Sequence, residues 1–308
     1  MNTVWFDESN KLRSGWRAGI FLFAFTFVLV LFEIGSDFVL RASGVERSQK
    51  SNIYMVVNAF ASLIPALLVG WLCGKLFENL PFRSLGAAFT KGWLRHFLLG
   101  ILIGAVTLSF AVFFAFIAGG ERFELNLDKG TSTVSYSLGV SFVVFAAKSA
   151  FEEALFRGYV LQTFARSNLA WLAILLTSVF FGAVHLGNPN ASIISTANTI
   201  LAGIWFSIAY LKTRDLWFVW GLHLMWNWMQ GSFFGIEVSG LTDITTNPFL
   251  KEIDTGPTWL TGTIYGIEGG LACTFALVVS TAIIYYLPSL KLTDEMLSLS
   301  EPPAVAGG

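Results

Sequence analysis

Phe151-Glu152-Glu153-Ala154-Leu155-Phe156-Arg157-Gly158 sits inside a run, Leu138 to Phe164, in which only Lys148, Glu152, Glu153 and Arg157 carry charge. An apolar run of that length reads as a membrane span. Each charged side chain within it costs roughly 2.5–3.5 kcal/mol on insertion scales, so charges kept there are paired or functional. On a helix Glu153 and Arg157 lie four apart, share a face and can pair. Glu152 is turned about 100° from Glu153, so the two carboxylates cannot point the same way. One is held by arginine and the other is free to face a cavity. Lys148, four residues before Glu152, is spaced to pair with it. The plain alternative is a structural ladder of ion pairs joining helices.

The rest of the chain sets this stretch in a membrane. Of 308 residues, 55% are hydrophobic and only 13% charged, with mean hydropathy +0.66. A soluble domain is nearer a quarter charged, so the composition predicts an integral membrane protein. No basic run or glycine-rich phosphate loop points to nucleic acid or nucleotide. Cys73 and Cys273 both lie in apolar runs and are expected to be unpaired core residues. The first apolar run has no small-residue cleavage site after it and reads as a retained helix.

Apolar segments long enough to span a bilayer occur at Trp16–Leu40, Ile53–Phe77, Phe97–Ala118, Leu138–Phe164, Leu169–Leu186, Ile193–Leu211, Leu216–Gly235 and Gly266–Leu287. They predict an all-α polytopic membrane bundle of about eight transmembrane helices, one domain over residues 1–308. Residues 288–308 are expected to be a polar, disordered tail. Eleven Lys and Arg fall in the connections on the side of the termini and six on the other. That bias predicts cytoplasmic termini, and the absence of targeting signals suggests a bacterial cell membrane. Glu33, Asp37 and Glu268 lie near span ends and read as solvated or snorkelling carboxylates. Gly100/Gly104 and Gly266/Gly270 have the small-xxx-small spacing of close helix packing. The stretch Ile236–Tyr265 is the longest connection, a lid or a connector. Glu78–Arg95 reads as an interfacial segment.

Two of the three histidines lie in spans. Phe181-Gly182-Ala183-Val184-His185 places Phe181 one turn before His185, and His223-Leu224-Met225-Trp226-Asn227 puts His223 and Asn227 on one helical face. His96 reads as interfacial. A lone buried histidine bonded to a carbonyl, or an asparagine bonded to a neighbouring helix, is the ordinary explanation of each. Together they form a kit for hydrolysis. A glutamate takes a proton from water, a histidine shares or delivers it, and a second histidine and an amide donate to the oxyanion of a tetrahedral intermediate.

The order Glu-Glu-x-x-x-Arg, then Phe-x-x-x-His, then His-x-x-x-Asn resembles the CPBP family: the CAAX proteases and bacteriocin-processing enzymes, also called Abi proteins, which are intramembrane glutamate-dependent endopeptidases. The matching residues are Glu152, Glu153 and Arg157; Phe181 and His185; His223 and Asn227. The resemblance covers Leu138 to Gly235. It implies that Glu152 and His185 activate the water, that His223 and Asn227 form the oxyanion hole, and that Glu153 and Arg157 stabilise the site. It implies no cofactor, and a peptide or protein substrate, lipidated or embedded in the membrane. Other classes stay open. Glu152, His185 and His223 are also a legitimate zinc set with an open position. Buried polar residues could instead line an ion or proton path, or serve a non-catalytic scaffold or bacteriocin-immunity protein. One tension stands: His185 lies about seven residues past the middle of its span, roughly 10 Å from the depth expected of Glu152.

Overall fold

The computed structural model describes residues 4–7, 10–45, 51–126, 128–241 and 244–300. Every one of the eight apolar segments is helical. In order they contain α1 (Ser14–Ala42), α2 (Asn52–Glu78), α3 (Trp93–Ile117), and α4 (Thr131–Glu153), which continues as a π-helical stretch, Ala154–Val160, into α5 (Leu161–Ala165). Then come α6 (Ala170–Val184), α7 (Ile193–Thr213) and α8 (Leu216–Trp228). A short α9 (Thr258–Thr261) precedes α10 (Leu271–Tyr286).

Six of these stretches are, among the described residues, long and apolar enough to cross a membrane, the α4–α5 run being the longest at 35 residues. The seventh and eighth segments are shorter: α8 has 13 residues before a second π-helical stretch, Met229–Phe234, and α10 has 16. The chain is a helical membrane bundle and an integral membrane protein. Its outward faces carry large apolar side chains, Phe23 at 79% exposure and Phe38 at 73%, which in water would be a liability and in lipid are the solvent-matched surface.

The helices follow one another round a ring. α1 packs on α2, α2 on α4, α4 on α8, α8 on α3, α3 on α10, α10 on α7, and α7 on α6; α5 links α6 back to α1. Glycines set the closest contact. A Cβ on Gly100 would come within 2.1 Å of the Phe218 carbonyl oxygen, and one on Gly104 within 2.3 Å of that of Leu222, so only glycine lets α3 and α8 approach so closely. Gly266 and Gly270 are different. They lie outside α10, in the 3₁₀ turns before it, so their spacing serves a loop and not a helix stripe. Starts are capped: Ser51 accepts from the Tyr54 amide, Asp215 from that of Trp217, and Ser192 exchanges bonds with Ser195.

Two connections meet outside the bundle. Strand β1 (Glu121–Leu125) pairs antiparallel with β2 (Leu250–Asp254), Glu121 opposite Asp254 and Leu125 opposite Leu250. The long connection 236–265 is therefore anchored, and Val238, Ser239 and Leu241 reach the interior cavity. Of the tail expected to be disordered, Asp294–Ser300 is a short helix, α11, packed beside the 3₁₀ turn Phe82–Leu85. Its Met296 side chain is buried, an anchor that the polar composition concealed. Residues 301–308 lie outside the described residues. Cys73 and Cys273 are free and buried.

Candidate active site

Both helices that carry the charged and amide residues change pitch beside them. α4 becomes π-helical at Ala154, immediately after Glu152-Glu153, and α8 at Met229, two residues after Asn227. π turns widen a helix and gather at functional sites. The first one buries all of its residues, Arg157 completely.

Arg157 Nη1 donates to Glu153 Oε1 at 3.1 Å, and its Nη2 to the Gly203 carbonyl at 2.9 Å. Its guanidinium carbon stands 5.1 Å from the ring centres of both Phe181 and Phe206, a position in which aromatic faces attract a cation. Glu153 Oε1 also receives His223 Nδ1 at 2.8 Å. An ionised carboxylate only accepts, so Nδ1 carries the proton, and Nε2 turns toward Glu152, 3.8 Å from its Oε2. Phe206 stacks on the His223 ring at 4.5 Å. The neighbouring glutamates thus have separate surroundings: the Glu153 side chain is 1% exposed, that of Glu152 23%.

His185 opens the 3₁₀ turn His185–Gly187 that ends α6. Its Nδ1 donates to the Phe181 carbonyl at 2.7 Å, leaving Nε2 as the acceptor of a neutral ring. Phe181 also packs its own ring against it, centres 4.7 Å apart. The expected mismatch in depth is absent because the middle of a span is a poor ruler. Counted from the turn that joins α5 to α6, Glu152 lies 13 residues back and His185 15 residues on, about 20 Å and about 23 Å at 1.5 Å per residue.

Glu152, His185, His223 and Asn227 all line one cavity of about 170 Å³ between α4, α6, α7, α8 and α10. Lys148 lines it too, yet makes neither hydrogen bond nor ion pair among the described residues, so the pairing with Glu152 that its spacing allowed is absent. No three His, Cys, Asp or Glu among the described residues form a group able to hold a metal ion. Glu152, His185 and His223 share the cavity without making such a set.

One cavity residue escaped the sequence reading. Glu268 was expected at a solvated span end. Instead it lines the cavity, where Oε2 accepts from the Ser239 amide and hydroxyl, both at 2.7 Å, and Oε1 from Trp226 Nε1 at 3.2 Å. Asn188 Nδ2 donates to the Ser239 carbonyl at 3.0 Å, so Ser239 is clamped from both sides over the cavity. No spacing in the sequence links Glu268 to Ser239. His96 likewise is buried and bonded, at 2.8 Å, to Asp215, the cap of α8.

A comparison with curated proteins finds no match. Residues 133–229 match the family model Rce1-like, described as type II CAAX prenyl endopeptidase Rce1-like. That segment runs from the first turn of α4 to the end of α8 and contains Glu152, Glu153, Arg157, His185, His223 and Asn227. Residues 133–229 are thus an Rce1-like domain of the CPBP (CAAX protease) family.

Proposed function

We propose that the protein hydrolyses a peptide bond inside the bilayer with a water activated by Glu152. The reading is carried by one observation: Glu152 of α4, His185 of the 3₁₀ turn ending α6, and His223 and Asn227 of α8 converge on one cavity between apolar helices. Glu152 takes the proton of a water that adds to the scissile carbonyl. His185, its Nδ1 committed to the Phe181 carbonyl, offers Nε2 as a second acceptor for that water. The proton held by Glu152 is shared with His185 and delivered to the amine nitrogen as the C–N bond breaks, which returns Glu152 to its carboxylate.

The tetrahedral oxyanion receives the Asn227 amide and His223 Nε2. Donation from Nε2 requires the doubly protonated ring, a cation flanked by Glu153 at 2.8 Å and Glu152 at 3.8 Å. Glu153 fixes the ring, and Arg157 fixes Glu153. The reading needs no serine or cysteine nucleophile and no metal. We assign the substrate to segments that reach the bilayer, as lipid-bearing tails or as membrane helices, and the protein to a bacterial cell membrane with both termini in the cytoplasm.

The test compares native membranes holding wild type or Glu152→Ala at equal levels, cataloguing peptide termini by mass spectrometry. New C-termini confined to wild type are expected. Identical catalogues with a surviving phenotype would instead mark a scaffold.

A further inference from the structure

The reaction above uses neither Lys148 nor Glu268 of the cavity's charged side chains, and only Lys148 lacks a hydrogen bond or ion pair among the described residues. It projects from the same face of α4 as Glu152, one turn earlier, and is half-buried in the middle of a membrane segment. The other charged groups there are satisfied or engaged. Glu268 accepts three hydrogen bonds, Glu153 holds Arg157 and His223, and Glu152 turns its Oε2 toward His223. Lys148 has no hydrogen bond or ion pair among the described residues.

An ammonium in such a place is kept solvated by whatever water the cavity holds. A peptide that displaces this water leaves the ammonium bare, which is costly inside a membrane. A peptide that brings its own carboxylate replaces the water with a charge-assisted hydrogen bond. We propose that Lys148 is a specificity-determining residue that receives a carboxylate of the substrate close to the scissile bond. Four helical residues rise about 6 Å, and an extended peptide advances about 3.3 Å per residue, so the carboxylate lies within a few residues of the bond cut. Two sources supply it: the free C-terminus of a chain cut near its end, or an Asp or Glu side chain. The inference rests on the proteolytic reading and adds the class of substrate.

The experiment uses the purified full chain in proteoliposomes and four quenched-fluorescent peptide pools with randomised cores. The pools end in an acid or an amide, and their cores contain or lack Asp and Glu. Wild type is expected to cut carboxylate-bearing pools about tenfold or more faster, as kcat/KM, than the amidated pool lacking Asp and Glu. Lys148→Met should bring that ratio to about one, while Lys148→Arg, keeping the charge, should retain a preference. A preference set by the terminus identifies a C-terminal carboxylate, and one set by the core identifies an acidic side chain. Equal rates on all four pools, or a preference unchanged in Lys148→Met, would overturn the proposal. Should Lys148→Met fail to fold, the wild-type ratios and Lys148→Arg decide. If wild type cuts no pool above the Glu152→Gln background, it is the hydrolase reading that fails, and the carboxylate site falls with it.

Discussion

Two buried clusters of charge in the bundle are finished differently. At one end Glu78 Oε1 accepts from Arg17 Nη1 at 2.7 Å and Arg166 Nε at 2.9 Å, while Oε2 accepts from Arg166 Nη2 at 2.8 Å. Arg166 also donates to Gln162, and Arg17 to the Leu12 carbonyl. Both oxygens of the carboxylate are used, and α1, α2 and the end of α5 are tied together. Around Glu152 the same chemistry is left open. Glu152 Oε2, Glu153 Oε2, Arg157 Nε and Ser149 Oγ are buried without a hydrogen-bond partner. A charge cluster that only joins helices saturates its bonds. On the proposed reading, the open cluster keeps some of its bonds free for a water and a peptide, and the difference would separate structural from chemical charge in one fold.

The comparison predicts the largest loss of stability at the saturated cluster. Glu78→Ala leaves two buried guanidinium groups without their anion and is expected to cost about 3–5 kcal/mol, seen as a steep fall in the thermal midpoint of the detergent-solubilised protein. Glu153→Gln tests the boundary between the clusters. It keeps an acceptor but removes the charge between Arg157 and His223, so stability should fall by about 1–3 kcal/mol and cleavage should fall with it. A wild-type rate at reduced stability would reassign Glu153 to the structural class.

These differences were only partly legible beforehand. Glu152, Glu153, Arg157, His223 and Asn227 announced themselves because polarity in an apolar run is costly, and helical spacing alone paired Glu153 with Arg157. Periodicity says nothing about neighbours from distant segments. It therefore missed that Glu153 also holds His223, that Glu268 caps the cavity through Ser239, and that Glu78 meets Arg17 and Arg166. The two π stretches have no signature in composition, and they redirect the very turns on which a spacing argument depends. Lys148 stood at the right spacing to pair with Glu152 and does not, because Glu152 faces His223.

Glu268 gives a smaller effect. Glu268→Gln weakens charge-assisted bonds to Ser239 worth about 1 kcal/mol, so amide exchange across residues 236–241 should speed up about fivefold and KM should rise more than kcat falls. Unchanged exchange would mean that Asn188 alone holds the strap. The smallest effect lies in the sheet outside the bundle. Glu121 and Glu252 share one face of the β1–β2 pair. Burial, with the neighbouring carboxyls Asp254 and Glu237, pushes Glu252 up to about 7, and burial with Glu252 beside it pushes Glu121 higher still. A carboxyl raised on folding stabilises the fold in its protonated form. That contribution is complete below the unfolded value, about 4.3, and is lost as pH rises through about 7 and beyond. Exchange at β1, corrected for intrinsic rate, should therefore quicken from pH 5 to pH 8, and Glu121→Gln should flatten the trend.

The central claim is that adjacent glutamates divide the labour, Glu152 for chemistry and Glu153 for support. Its most direct test is the cleavage rate of Glu152→Gln in proteoliposomes, measured beside its thermal midpoint. General-base catalysis is worth about 10²–10⁴-fold, so the account predicts a loss of that size with a midpoint close to wild type. A folded Glu152→Gln protein that cleaves at the wild-type rate would contradict it.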